Sequence, residues 1–154
     1  MKSFKGRVLL ARQLSSADWL VLAEAWWLLF FIYLALRWMS YERLISSTRP
    51  MSEKTPGSSH ALVFAHQLQR LVGFASRVHL IPMTCLVKSL TLQKILSERN
   101  IPVQVKIGAQ KIQGAIYAHA WVEVNGKPIG EADDVAQKFY VLKSATKLRN
   151  RQFI

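Results

Sequence analysis

The stretch from Trp19 to Met39, WLVLAEAWWLLFFIYLALRWM, constrains the fold of this chain more than any other segment. A helix of that length is about 30 Å long at 1.5 Å per residue. That is enough to cross a bilayer, which needs about 20 apolar residues. Glu24 lies inside the run, Asp18 and Arg37 bound its apolar centre, and basic residues flank both ends. A charge at mid-span costs roughly 2.5–3.5 kcal/mol, but Glu24 sits only a turn and a half in, where the cost is smaller. The alternative is a soluble helix, apolar nearly all round, that is buried or faces a partner. Ser15 or Ser16 is placed to cap it, with Asp18 in the first turn, where negative charge is favourable.

The remaining composition narrows the class. The chain has 154 residues, 21 Lys+Arg against 9 Asp+Glu, a net charge of +12, and 51% apolar residues. This is one domain's worth of chain, too apolar for a disordered basic tail. A single cysteine, Cys85, excludes an intramolecular disulfide framework and any Cys-cluster metal site. No metal or other cofactor is expected. A basic globular enzyme, a nucleic-acid binder and a membrane-associated protein all fit the totals. The basic residues are spread along most of the chain, without a recognition motif or a clustered aromatic platform. Specific nucleic-acid binding is therefore not expected, only weak and salt-sensitive association. Lys2, Lys5, Arg7 and Arg12 give a positive start, but Val8 to Ala11 is too short for a signal h-region. No small-x-small cleavage site follows the later apolar run, so the expected setting is cytoplasmic.

Residues 46–60 are polar and contain Pro50, Pro56 and Gly57, which predicts a loop. Apolar residues then recur at Leu62, Ala65, Leu68, Leu71, Val72 and Ala75, the spacing of a helix over 61–78. Pro82 breaks the chain and Thr84 can cap a second helix, whose apolar face runs from Leu86 to Leu96. Asn100 suits the position just past its end, and Pro102 prevents continuation. Val103, Val105 and Ile107 then alternate with polar residues, as in a half-buried strand. A second strand-like run, IYAHAWVEV (116–124), leads into Asn125-Gly126, a strong hairpin signal. Val135 to Leu142 suits a short strand or helix, and the tail is basic again. The expected organisation is an N-terminal helical region with a polar loop over 1–60 and an α+β core over 61–154. Together they form one structural domain, with helices packed against an antiparallel sheet.

A lone cysteine is more often a small buried hydrophobe than a nucleophile. Cys85, however, falls in the first turn of a helix, where unpaired backbone N–H groups and the dipole favour negative charge on sulfur. The same N–H groups can hold an oxyanion. Of the four histidines, His60, His66 and His79 have no evident partner in sequence. His119 lies on a strand between two alanines, with Trp121 on the same face as a shield. A third group is needed to orient the imidazole. Four of the nine acids are Glu123, Glu131, Asp133 and Asp134. Glu123 lies about 13 Å along the strand from His119 and is a poor choice. If the turn is type I with Gly126 in a left-handed bulge, Glu131 falls directly opposite His119. If Asn125-Gly126 form a two-residue loop, Ala132 faces His119 instead. Glu131 then points away, and the third member needs a bulge or is another acid. Gln67 is a further candidate oxyanion donor that sequence does not link to Cys85.

Two segments, CLVKSLTLQKILSERNIPVQVKIGAQ and AHAWVEVNGKPIGE, carry a resemblance. Across about residues 77–140 the chain resembles the lasso-peptide leader peptidases, the B proteins of lasso-peptide biosynthesis, of the microcin-processing type. The family pattern is Cys-Leu at a helix start, G-I-x-x-x-x-x-I-G into a strand, A-H-A-W-V-E, and Gly before an acid. Asn100 stands where that pattern has its first glycine, a tolerable change because Asn also adopts left-handed backbone. The apolar helix near the N terminus looks like this family's too. The resemblance implies a papain/transglutaminase-like core with Cys85 as nucleophile, His119 as general base and Glu131 as the orienting acid. The implied activity is hydrolytic removal of the leader from a ribosomally made precursor peptide. Longer members carry a leader-recognition domain, for which there is no room before position 60. The resemblance thus implies a stand-alone split form that works with a separate leader-recognition protein and an ATP-dependent lasso cyclase. Residues 19–39 would then be free for partners or membrane. A transglutaminase-like acyl transfer would use the same Cys-His site.

Overall fold

The computed structural model describes residues 15–38 and 59–141. The basic N-terminal segment, most of the loop expected over 46–60 and the basic tail lie outside these residues. Helix α1 spans Ser16–Trp38. Ser15 caps it reciprocally: its hydroxyl accepts from the Asp18 N–H at 3.2 Å, and the Asp18 carboxylate accepts from the Ser15 N–H at 2.9 Å. Two otherwise orphaned donors are satisfied this way. These bonds, the Ser15 N–H first and its hydroxyl second, hold the Asp18 carboxyl below the ordinary aspartate range.

One face of α1 is covered and the other is bare. Leu22, Ala25 and Leu29 are buried in a core shared with α2 (Ser59–Val78), which contributes Ala65, Leu68, Val72 and Ala75, and with α3 (Cys85–Glu98). Leu20, Trp27, Phe31, Leu34 and Trp38 form an exposed apolar stripe, with Leu20 at 74% and Trp38 at 84% exposure. The two sequence alternatives for this segment are thus divided between the two faces of one helix. Glu24, the charge inside the run, pairs with Arg99 at 2.8 Å, and Arg99 also donates to the Ile95 carbonyl at the end of α3. Among the described helices, α1 alone has the length and composition to cross a membrane. Its buried face and its ion pair are nevertheless those of a helix docked on protein. Ser59 and His60, expected in the loop, are instead the first turn of α2; an exposed first turn needs no apolar partner.

Helix α3 begins and ends as the sequence predicts. Thr84 is its N-cap, with Oγ1 accepting from the Val87 N–H at 3.4 Å. At the other end Asn100 is left-handed (φ 57°). The Ile101 and Asn100 N–H groups return to the carbonyls of Leu96 and Ser97, the Schellman pattern.

The sheet has the order β3-β2-β1-β4 and is antiparallel throughout, so the α+β expectation holds. Strand β1 (Gln104–Ile112) runs five residues beyond the alternation seen at Val103–Ile107, and β2 (Ala115–Val124) follows after Gln113-Gly114. Both of those loop residues have positive φ, 49° and 88°, so a two-residue turn closes a hairpin that apolar alternation alone does not reveal. Strand β3 is only Lys127–Pro128. Residues 135–142 were open to strand or helix, and the described part is both: α4 (Val135–Lys138), then β4 (Tyr140–Val141), which pairs with β1. The alternate β2 residues Val122 and Val124 join the helical core.

Two outcomes check this layering. Leu29→Ala, at a fully buried position, should cost about 2–5 kcal/mol in denaturant unfolding. Phe31→Ser on the bare stripe should change stability by no more than about 0.5 kcal/mol. Separately, Ser15→Ala removes the hydroxyl bond and should move the Asp18 pKa upward when its carboxyl carbon is titrated by NMR. Because that pKa is depressed in the folded chain, the contribution of the cap is present above the ordinary aspartate range. It is lost as pH falls through the lowered value.

Candidate active site

The hairpin register decides which acid can reach His119. Val124 pairs with Lys127 and Glu123 with Pro128, around Asn125 and Gly126, both with positive φ (53° and 73°). This is the two-residue loop, so the bulged type I register expected to set Glu131 opposite His119 does not occur. Two consecutive left-handed residues match the right-handed twist of the strands, whereas a type I turn would splay them. The ladder continues as far as Ile129, whose N–H donates to the Val122 carbonyl, and then breaks at Gly130 (φ 75°). A left-handed residue interrupts the strand alternation and turns the next side chain back. Glu131 Oε1 consequently lies 3.1 Å from His119 Nε2. This register was expected to need a bulge or another acid; instead a bend at Gly130, beyond the paired residues, returns Glu131 to the ring. A Cβ on Gly130 would collide with the Gln69 side-chain amide, so α2 packs directly over this turn.

Two of the other three acids are otherwise engaged. Glu123 accepts from the Trp121 indole N–H at 2.9 Å and lies 3.9 Å from Lys106. Asp134 pairs with Lys138 at 2.9 Å, and Asp133 is exposed. Trp121, 1% exposed, lies nearly parallel to the His119 ring at a centroid distance of 6.2 Å, the shielding expected from their shared face. Phe139 packs against the same cluster, 5.4 Å from the imidazole and 6.2 Å from the indole between ring centroids. It can do so because Gly108 is the cross-strand partner of His119: a Cβ on Gly108 would meet the Phe139 Cβ at 2.6 Å. Sequence reasoning did not single out Phe139, and it carries no pattern that would have done so.

Cys85 is the first residue of α3, half-buried, with its thiol unbridged. It lines a cavity of about 310 Å³ together with His119 and Glu131. One turn into the helix, the buried Ser89 hydroxyl donates to the carbonyl of Ala120, the residue after His119, at 3.0 Å. This bond ties the cysteine's helix to the histidine's strand. With Nε2 on the carboxylate, Nδ1 is the imidazole nitrogen left for the thiol. Gln67 is not at the site; it donates to Asp18 at 2.9 Å. The glutamine that lines the cavity is Gln69, on the same helical face as Val72, Gly73 and Ser76. That i, i+3, i+4, i+7 spacing was available in the sequence. No cluster of potential metal ligands occurs among the described residues.

Two comparisons with known proteins give a match. The transglutaminase-like superfamily profile matches residues 26–144, which include all three candidate residues and most of α1. The chain is 28% identical over 95 residues to the microcin J25-processing protein McjB of Escherichia coli. That match covers 60% of this chain and 45% of McjB, so the chain spans under half the length of this relative. No solved structure matches the chain. With the profile extending over more than three-quarters of its length, this chain belongs to the transglutaminase-like superfamily.

Proposed function

We propose that this protein is a cysteine endopeptidase that removes the leader from a ribosomally made lasso-peptide precursor. The observation that carries the reading is the His119–Glu131 contact in a cavity shared with Cys85 at a helix start. In this mechanism Glu131 fixes the imidazole through Nε2, and Nδ1 takes the Cys85 proton. The sulfur attacks the carbonyl of the last leader residue. The Cys85 N–H, which has no intrahelical acceptor at the start of α3, receives the developing oxyanion. His119 returns the proton to the departing amine of the core peptide, leaving a leader thioester. Water activated by His119 then releases the leader acid and restores the thiol. No metal or cofactor enters any step.

Superfamily membership supports a second reading. In a transglutaminase-like acyl transfer an amine, rather than water, resolves the same thioester. Mass spectrometry of the products separates the two, since hydrolysis yields a free leader carboxylate and transfer yields an amide.

The similarity to a microcin-processing protein supports the precursor peptide as substrate. By the same reading a separate leader-recognition protein presents that peptide, and an ATP-dependent cyclase consumes the product. The setting is cytoplasmic, where Cys85 stays reduced. The exposed stripe of α1 is the surface available to partner proteins or to the membrane face.

The test is cleavage of the precursor with and without the leader-binding protein. Cys85→Ala and His119→Ala should each abolish leader release while leaving the thermal transition intact. Cleavage by Cys85→Ala would refute the peptidase reading. Glu131→Gln should retain partial activity, a loss below the roughly 10²–10⁴-fold expected for removing a proton-transfer group. Full activity in that variant would remove Glu131 from the site.

A further inference from the structure

The cavity is more cationic than thioester chemistry requires. Two of its lining residues are basic: Arg77 in the last turn of α2, and Lys88 three residues beyond Cys85 on α3. Neither has a carboxylate partner among the described residues. The one acid in the lining, Glu131, already holds His119. Of the other basic residues described, Lys94, Lys106, Lys138 and Arg99 lie within ion-pair distance of a carboxylate and Arg37, Arg70, Lys111 and Lys127 do not, but none of these eight lines the cavity. Lys88 is half-buried, and its stem lies along the cavity wall. Arg77 presents a planar fork suited to a carboxylate. Lys88 on the helix of the thiol and the exposed Arg77 on α2 thus bring two unpaired cations to one cavity, where an anion would be complementary.

We propose that Arg77 and Lys88 form an anion-accepting subsite beside Cys85, which receives a carboxylate side chain of the peptide substrate near the bond under attack. This rests on the peptidase reading for the identity of the substrate. The subsite would orient the peptide in the cleft and raise its local concentration, an effect screened by salt.

Cys85 is the only cysteine in the chain, so its alkylation reports on this cavity alone. The test compares the rates of Cys85 alkylation by anionic iodoacetate and by neutral iodoacetamide. The reference is the same ratio for a cysteine in an unstructured peptide. The ratio should be higher in the protein. Arg77→Gln and Lys88→Gln should each lower it by roughly 3- to 10-fold, as expected for loss of one nearby charge at the protein surface. Raising the salt to 0.5 M should narrow the gap. Lys111→Gln, an exposed position near the end of β1, should leave the ratio unchanged, which separates a local subsite from the general +12 charge. Short peptidyl chloromethyl ketones that differ only in Asp or Asn beside the electrophile extend the test to peptides. The Asp form should inactivate faster, and the Arg77→Gln/Lys88→Gln double variant should erase the difference. Normal iodoacetamide reactivity with a ratio insensitive to Arg77 and Lys88 would overturn the subsite and leave the peptidase reading standing. A thiol inert to both reagents would overturn both.

Discussion

The hydrogen bond from the Ser89 hydroxyl to the Ala120 carbonyl joins the two elements on which the site depends. Cys85 lies one turn before Ser89, and His119 immediately precedes Ala120. A helix start and a strand otherwise share only non-directional apolar packing, which tolerates sliding. A buried hydroxyl with one available acceptor does not, because breaking that bond strands a desolvated polar group. Thr91 shows the other use of a buried hydroxyl: it bonds back to Val87 within its own helix and positions nothing beyond it.

Around that joint the site is built from rigid elements and one exceptional turn. The imidazole packs into a three-ring cluster with Trp121 and Phe139, and Glu123 anchors the indole of Trp121. Glycine makes two close approaches possible, Gly108 beneath Phe139 and Gly130 beneath Gln69. The site is therefore framed by side chains from α2, α3, β2 and the chain on either side of α4. Arg77 and Lys88 line it without a protein carboxylate, whereas Glu123, Glu131 and Asp134 each have a partner.

Much of this was legible in the residues. Thr84, Asn100 and Pro102 act within a few positions of themselves, so the limits of α3 and the place of Cys85 in its first turn follow from local chemistry. Asn125-Gly126 likewise marked a hairpin. Its loop length was not legible, because two turn types accept the same dipeptide and differ by one residue in register. The Gln113-Gly114 turn was missed because β1 beyond Ile107 reads Gly-Ala-Gln-Lys, with no apolar alternation to mark a strand. For α1 the sequence posed a choice between burial and membrane. One face is buried and the other is bare, and periodicity cannot separate the faces when both are apolar. The capture of Glu24 by Arg99, 75 residues away, is a tertiary fact that no local pattern encodes.

Gly130 also bears on the order in which the site assembles. The β1–β2 hairpin and the start of α3 are local structures, held by turns and caps within their own segments. The seat of Glu131 differs, because the turn that delivers it lies under Gln69, a residue of α2 some sixty positions earlier in the chain. A chain in which α2 has not docked holds the thiol and the imidazole on formed elements, with no fixed carboxylate to orient the ring. Completion of the constellation is thereby coupled to completion of the helical layer, and a half-folded chain carries an unfinished site.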